Sequence, residues 1–206
     1  FPKEVTNQAG VVKPMLCKVY DPNDKKNIGK TVYDVLLDGV SPEEAIIKTE
    51  FDNLSLVPST LNLAGAEFEL FDIDEPEFRI KKGLESVKDN YDYILIDAPP
   101  TLGCWVMNIM CASDYLIIPV EASPWGLFGL ANLFEFYEKL ERIAPELKIM
   151  GVVVTKANER KNQFKQAIEV LGSLENVKLF DTYIRIDSAI EWSQENSLPV
   201  MAYKKT

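Results

Sequence analysis

The residues best placed to do chemistry lie in Tyr91-Asp92-Tyr93-Ile94-Leu95-Ile96-Asp97-Ala98-Pro99-Pro100. Three apolar residues run into a single carboxylate and then a proline pair. That pattern predicts a short strand buried on both faces, as in the middle of a parallel sheet, with Asp97 where the strand emerges. Ligands of open α/β sheets bind outside the carboxyl ends of the strands. A carboxylate there can hold magnesium and its waters, as nucleotide-hydrolysing folds do. It can equally cap the turn that follows. On this stretch alone both readings stand.

Composition removes several other chemistries. The 206 residues contain no histidine, which excludes His-based triads, His-ligated metals and imidazole proton shuttles. Cys17, Cys104 and Cys111 have no paired spacing, so reduced thiols in a cytosol are expected rather than a disulfide framework. A net charge of −10 argues against coating nucleic acid through bulk charge, though not against a local basic patch. No apolar stretch approaches the roughly 20 residues that span a bilayer, and no signal-peptide pattern is present. A cytoplasmic protein without a membrane role is expected.

The elements that must position Asp97 alternate. Thr31 is a plausible N-cap for a helix over 32–37, and Ser41-Pro42-Glu43-Glu44 opens another with cap, proline and acids in favoured places. A strand is predicted over 54–57, helical spacing over 61–70, and a helix over 77–87 leading into the central strand. After Pro100 come a helix (102–110), a buried strand (115–120), a long amphipathic helix (125–144), a strand (148–154) and a helix (163–171). A last strand (177–184) and a helix (188–195), with Ser188 as its possible cap, complete the chain. Strands alternating with helices predict a mostly parallel sheet with helices on both faces. No repeat or linker interrupts it, so residues 1–206 read as a single α/β domain in which 1–30 is atypical. The aromatic and aliphatic surface of 125–137 reads mostly as core, and Cys104 and Cys111 as small core residues.

From Thr31 onward the chain resembles the ParA/Soj/MinD family of deviant-Walker partition ATPases, and within it the ParA/Soj branch. The residues that carry the likeness are Thr31-Val32-Tyr33-Asp34-Val35-Leu36-Leu37, Val57-Pro58-Ser59, Leu63-Ala64-Gly65-Ala66-Glu67, the stretch 91–100, Ile118-Pro119-Val120-Glu121-Ala122-Ser123-Pro124 and Gly151-Val152-Val153-Val154-Thr155-Lys156. The resemblance implies a three-layer, P-loop NTPase-like domain. It implies ATP and Mg²⁺ as cofactors, with Asp97 holding magnesium through water. It also implies an ATP-bound homodimer, nonspecific DNA contact at the nucleoid, and a ParB-like adaptor that stimulates hydrolysis. The helix after residue 124 lies beside the dimer interface in the family, so one or two of its aromatics are expected to be partly exposed.

The family binds phosphates on a Lys-Gly-Gly-x-Gly-Lys-Thr loop, whose amides and lysines neutralise them. The nearest counterpart here is Val5-Thr6-Asn7-Gln8-Ala9-Gly10-Val11-Val12-Lys13, in which Gly10 and Lys13 keep loop positions. Ala9 replaces the signature lysine, and Pro14 or Met15 stands where the magnesium-binding threonine belongs. The Gly-Lys-Thr of residues 29–31 is no substitute, because Asp24 stands where the first glycine is needed and no buried strand precedes it. Asp21-Pro22-Asn23 resembles the family's Asp-Pro-Gln, whose Asp positions attacking water. It is equally an ordinary turn opening.

Thr155-Lys156-Ala157-Asn158 follows a predicted strand and resembles the base-contacting segment of nucleotide-binding α/β folds. Asn158 can offer both a donor and an acceptor to adenine; a polar loop is the other reading. Arg185 matches an arginine that contributes to DNA contact in the family, although Ile184 replaces the usual proline. Lys161 and Lys165, with Arg160, extend a basic patch or form a solvated helix face. Two functions follow: a partition ATPase, or a ParA-like scaffold without a phosphate loop that acts through protein contacts and hydrolyses nothing.

Overall fold

A computed structural model describes residues 29–49, 51–60, 62–70, 72–175, 177–196 and 198–200. The order is α1 (Val32–Leu37), α2 (Pro42–Ala45), β1 (Ile47–Lys48), β2 (Ser55–Leu56), α3 (Asn62–Gly65), α4 (Glu67–Leu70), α5 (Arg79–Leu84), α6 (Cys104–Ala112), β3 (Tyr115–Glu121), α7 (Pro124–Leu140), β4 (Lys148–Thr155), α8 (Asn162–Gly172) and α9 (Ser188–Glu195). A 3-10 turn, Pro76–Phe78, runs into α5. Thr31 starts α1 as expected. Its N–H and its hydroxyl both donate to the Asp34 carboxylate at 2.8 Å. The helix foreseen over 61–70 breaks in two at Ala66. β1 and β2 form a small antiparallel ladder.

β3 and β4 are parallel, running in register from Tyr115↔Lys148 to Glu121↔Thr155 with one irregularity between Leu116 and Ile117. Residues 177–185 continue the parallel sheet on the far side of β4. Val152 donates to the Lys178 carbonyl, Phe180 to that of Val152, and Ile184 to that of Val154. They are not the continuous strand that the apolar run predicts. Two bridges, Val152↔Leu179 and Ala157↔Arg185, enclose six steps on one chain and five on the other, so one extra residue interrupts the ladder. Gly151 admits this neighbour closely: a Cβ there would lie 2.7 Å from the Lys178 carbonyl oxygen and 3.0 Å from the Phe180 ring.

One face of these strands is the main core. Ile118, Val120, Val152 and Val154 pack under Leu130 of α7 and Phe164 and Leu171 of α8. A second cluster joins α1, α4, α5 and α6 through Leu36, Leu70, Ile80, Trp105 and Ile109, and Ile96 packs against it. The third, with Val106, Met110, Leu140 and Leu147, seats α6 against the end of α7. Asn108 ties α6 to the 3-10 turn and α5. It is fully buried, accepts from Ile80 N at 3.3 Å, and donates to the carbonyls of Pro76 at 2.8 Å and Cys104 at 3.2 Å.

The expected buried strand at 94–96 is not formed. Among the described residues this segment joins no ladder, and Ile94 and Leu95 are 40% and 50% exposed. A strand is buried on both faces only when neighbours flank it and layers cover it, and among the described residues β3 pairs with β4 and neither pairs with 94–96. Helix α7 ends at Leu140 instead of 144: Pro145 has no N–H for the Glu141 carbonyl four residues back, and its ring disfavours helical backbone at Ala144. Asp187, not Ser188, caps α9, its Oδ1 accepting from Ala189 N at 2.8 Å. Among the described residues no helix is long and apolar enough to cross a membrane.

Candidate functional site

The carboxyl ends of β3 and β4 lie side by side, and the turns that leave them assemble a polar mouth. Beyond β3 the chain folds back at once. Ser123 N donates to the Glu121 carbonyl at 2.7 Å, and Ser123 Oγ accepts from Gly126 N at 3.1 Å to cap α7. Only glycine fits at 126, where a Cβ would sit 2.1 Å from the Glu121 carbonyl oxygen. This packing holds the first turn of α7 against the strand end. It leaves Trp125 and Phe128 82% and 61% exposed, edge to face at 6.4 Å, which matches the exposure expected of one or two aromatics here.

Beyond β4, Thr155 Oγ1 donates to the Val120 carbonyl at 3.4 Å. Lys156 has a left-handed backbone, φ +49°, which a non-glycine residue adopts at a cost. Its Nζ reaches back across the sheet to Glu121 Oε2 at 3.3 Å. Ala157 N then donates to the Ile184 carbonyl at 3.0 Å, which sets Arg185 beside Ala157. Asn158 Oδ1 accepts from Arg160 N at 3.2 Å, and its carbonyl accepts from Lys161 N at 3.0 Å, where α8 begins. The Asn158 acceptor is therefore engaged inside the loop, and the side chain offers a ligand its Nδ2 donors. The sequence had left both edges of that amide open.

The structure thus brings together Thr155, Lys156, Asn158 and Arg185, and places Lys161 and Lys165 on the first turns of the helix that follows. Arg160, Lys161, Lys165 and Arg185 are all exposed. Asp97 is exposed in chain that belongs to no helix or strand, and among the described residues no hydrogen bond or ion pair ties it to this mouth. From Asp97 the chain leads through Pro99 and Pro100 to Gly103, where α6 starts. The Glu67 carboxylate stands 2.9 Å from where a Gly103 Cβ would be, and Trp105 Nε1 donates to the Leu63 carbonyl at 3.0 Å. Gly10, Lys13 and Asp21 lie outside the described residues.

The donor set decides what could bind. Among the described residues no group of three or more Cys, Asp and Glu could ligate a metal directly. A lone exposed carboxylate at Asp97 fits a magnesium held through its waters and not a direct protein cage. Burial pushes the thiols of Cys104 and Cys111 above the usual range, with Glu67 adding to the effect at Cys104, which disfavours the thiolate at both. Sequence reasoning passed over Glu121 as one letter of a motif. The signal for it was an acid directly after an apolar run and just before a helix-capping serine.

Three comparisons bear on identity. The family model described as an AAA domain matches residues 18–149. The chain is 35% identical over 181 residues to the sporulation initiation inhibitor protein Soj of Bacillus subtilis, covering 87% of this chain and 72% of Soj. It is 31% identical over 178 residues to the chromosome partitioning protein ParA of Myxococcus xanthus, covering 86% of this chain and 63% of that protein. In structure it is similar to a putative plasmid partition protein of Borrelia burgdorferi bound to AMPPNP, with a TM-score of 0.70, 27% identity, and 82% and 65% of the two chains covered. These likenesses carry the P-loop NTPase-like α/β fold, and 35% identity over most of the length of Soj carries more: the chain belongs to the ParA/Soj family.

Proposed function

We propose that this chain acts as a partition ATPase, binding Mg-ATP at the carboxyl mouth of its parallel strands. The observation that supports this most directly is the placement of Thr155, Lys156 and Asn158 at the end of β4 with Arg185 set beside them by the Ala157↔Arg185 bridge. In this reading the Asn158 Nδ2 hydrogens donate to the ring nitrogens of the base. Bound ATP supplies a terminal phosphoanhydride whose hydrolysis drives the cycle. Asp97 holds a water of the magnesium shell, Asp21 orients water, and Gly10 and Lys13 lie along the phosphates. Arg185, with Lys161 and Lys165, takes DNA phosphates without reading sequence, which makes binding salt-sensitive. The functional unit is a homodimer working with a ParB-like adaptor on the nucleoid, in the cytoplasm and away from membranes. Residues 1–206 act as one domain.

A second reading is favoured by one feature of the sequence: Ala9 stands where the family's loop carries its signature lysine. The chain is then a ParA-like scaffold that works through protein contacts alone. Thermal unfolding with and without Mg-ATP separates the two. At a hundredfold excess over the dissociation constant, binding adds about 2.7 kcal/mol. For a chain of this size that raises Tm by roughly 5–10 °C. An unchanged Tm refutes the ATPase reading and leaves the scaffold.

A further inference from the structure

We propose that Glu121 is the carboxylate that receives the ribose hydroxyls of the bound nucleotide, with Lys156 as its positioning residue; this rests on the nucleotide reading above. Glu121 is the last residue of β3 and lies directly opposite Thr155. The polar residues of the mouth fall in a lateral order across the sheet. Arg185 comes first, then Ala157 and Asn158 after β4, then Glu121 at the end of β3. Adjacent strands are about 4.8 Å apart. A nucleoside whose base meets Asn158 and that runs from β4 toward β3 brings its sugar, the next group along, over Glu121.

The chemistry of the pair suits that position. A carboxylate is an acceptor only, and of its two oxygens Oε2 is engaged by Lys156 Nζ at 3.3 Å. Among the described residues no contact is made to Oε1, and a donor fits there. A sugar hydroxyl is such a donor, and an acid at the end of a strand taking ribose hydroxyls is the established arrangement in dinucleotide-binding sheets. Both partners of the ion pair are more than half exposed, at 69% and 51%, so the pair by itself contributes little to the fold. Yet Lys156 keeps a left-handed backbone, and this is the residue whose side chain crosses to Glu121. Local strain of this kind persists where the surrounding structure determines it, and such positions cluster at ligand sites. The tight turn at Gly126 fixes the Glu121 backbone from the other side.

Equilibrium binding of ATP, 2′-deoxy-ATP and 3′-deoxy-ATP to the full chain tests this, on wild type, Glu121→Ala and Glu121→Gln. Wild type should bind ATP roughly tenfold tighter than the weaker-binding deoxy analogue, as expected for one hydrogen bond to a charged acceptor. Glu121→Ala should bind all three alike, at the level of that analogue. Glu121→Gln, whose amide oxygen still accepts, should retain part of the preference. If wild type binds ATP and both analogues equally, or Glu121→Ala keeps the full preference, Glu121 is only half of a surface ion pair. In that case nucleotide binding still stands. If wild type binds none of the three, the ATPase reading falls and the ribose role falls with it.

Discussion

Replacing Asn108 with alanine should destabilise the protein by about 3–5 kcal/mol. Asn108 is fully buried, and its side chain serves three groups on two other elements and its own helix. Its Oδ1 satisfies the N–H of Ile80 in the first turn of α5, where backbone donors have no partner within the helix. Its Nδ2 satisfies the Pro76 carbonyl at 2.8 Å. Cys104, four residues back on α6, keeps its helical hydrogen bond in the variant, so its carbonyl is not orphaned. Two buried groups are, at about 1–2 kcal/mol each, and the vacated volume adds about 1 kcal/mol. Total stability for a domain is about 5–15 kcal/mol, so the loss is a large share of it. Urea unfolding followed by circular dichroism measures it, and a midpoint shift worth under about 1 kcal/mol would refute the accounting. Asn108→Asp sharpens the test. At neutral pH it sets an anion against the carbonyls of Pro76 and Cys104 and should be worse than alanine. Burial and those carbonyls raise the pKa of the introduced carboxyl in the folded state, so the defect should ease as pH falls through that raised value.

Gly126→Ala should cost about 3 kcal/mol or more, because the added methyl meets the Glu121 carbonyl oxygen at 2.1 Å. Gly129→Ala, one turn on and facing open space, should instead stabilise by up to about 1 kcal/mol; thermal melts that rank the two alike would exclude this geometry. The Thr31 hydroxyl, its N–H and Lys30 together hold the Asp34 carboxyl below the usual carboxylate range. A depressed folded-state pKa adds stability that is present above about pH 4 and lost as pH falls through the lower folded value. The urea midpoints of wild type and Asp34→Asn should therefore differ at pH 7 and converge as pH falls through that lower value. Arg185→Ala should lower retention on nonspecific duplex DNA and flatten its salt dependence by about one phosphate contact; equal retention would return Arg185 to a purely structural place beside Ala157.

The local elements were largely written in the sequence. Apolar runs and flanking turns marked β3 and β4 to within a residue, although β3 alternates in burial where a wholly buried strand is expected, and helical spacing marked α8. Thr31 and Asp34, three apart, encode the start of α1 through contacts of their own. Order and spacing of short motifs placed the chain in its family, because they survive without knowledge of what touches what. Elsewhere the local signal was real but incomplete. Trp125 and Phe128 belong to the same apolar run as Leu130 and Phe134, yet at about 100° per residue they fall on the opposite face of α7, and the structure leaves that face exposed.

Tertiary structure alone decided the rest. Asn108 looks like one polar residue in an apolar helix until Ile80 and Pro76, about thirty residues away, arrive to use it. Glu121 and Lys156 are 35 residues apart, and nothing near either names the other; parallel pairing of β3 with β4 makes them neighbours. The run at 94–96 has the composition of a buried strand, but burial belongs to the surroundings of a strand and not to the strand itself. Propensity, capping and turn chemistry act over a few residues and can be read along the chain. Pairing, burial and the company a side chain keeps act across space, so a carboxylate such as Asp97 or Glu121 acquires its chemistry only when the sheet closes around it.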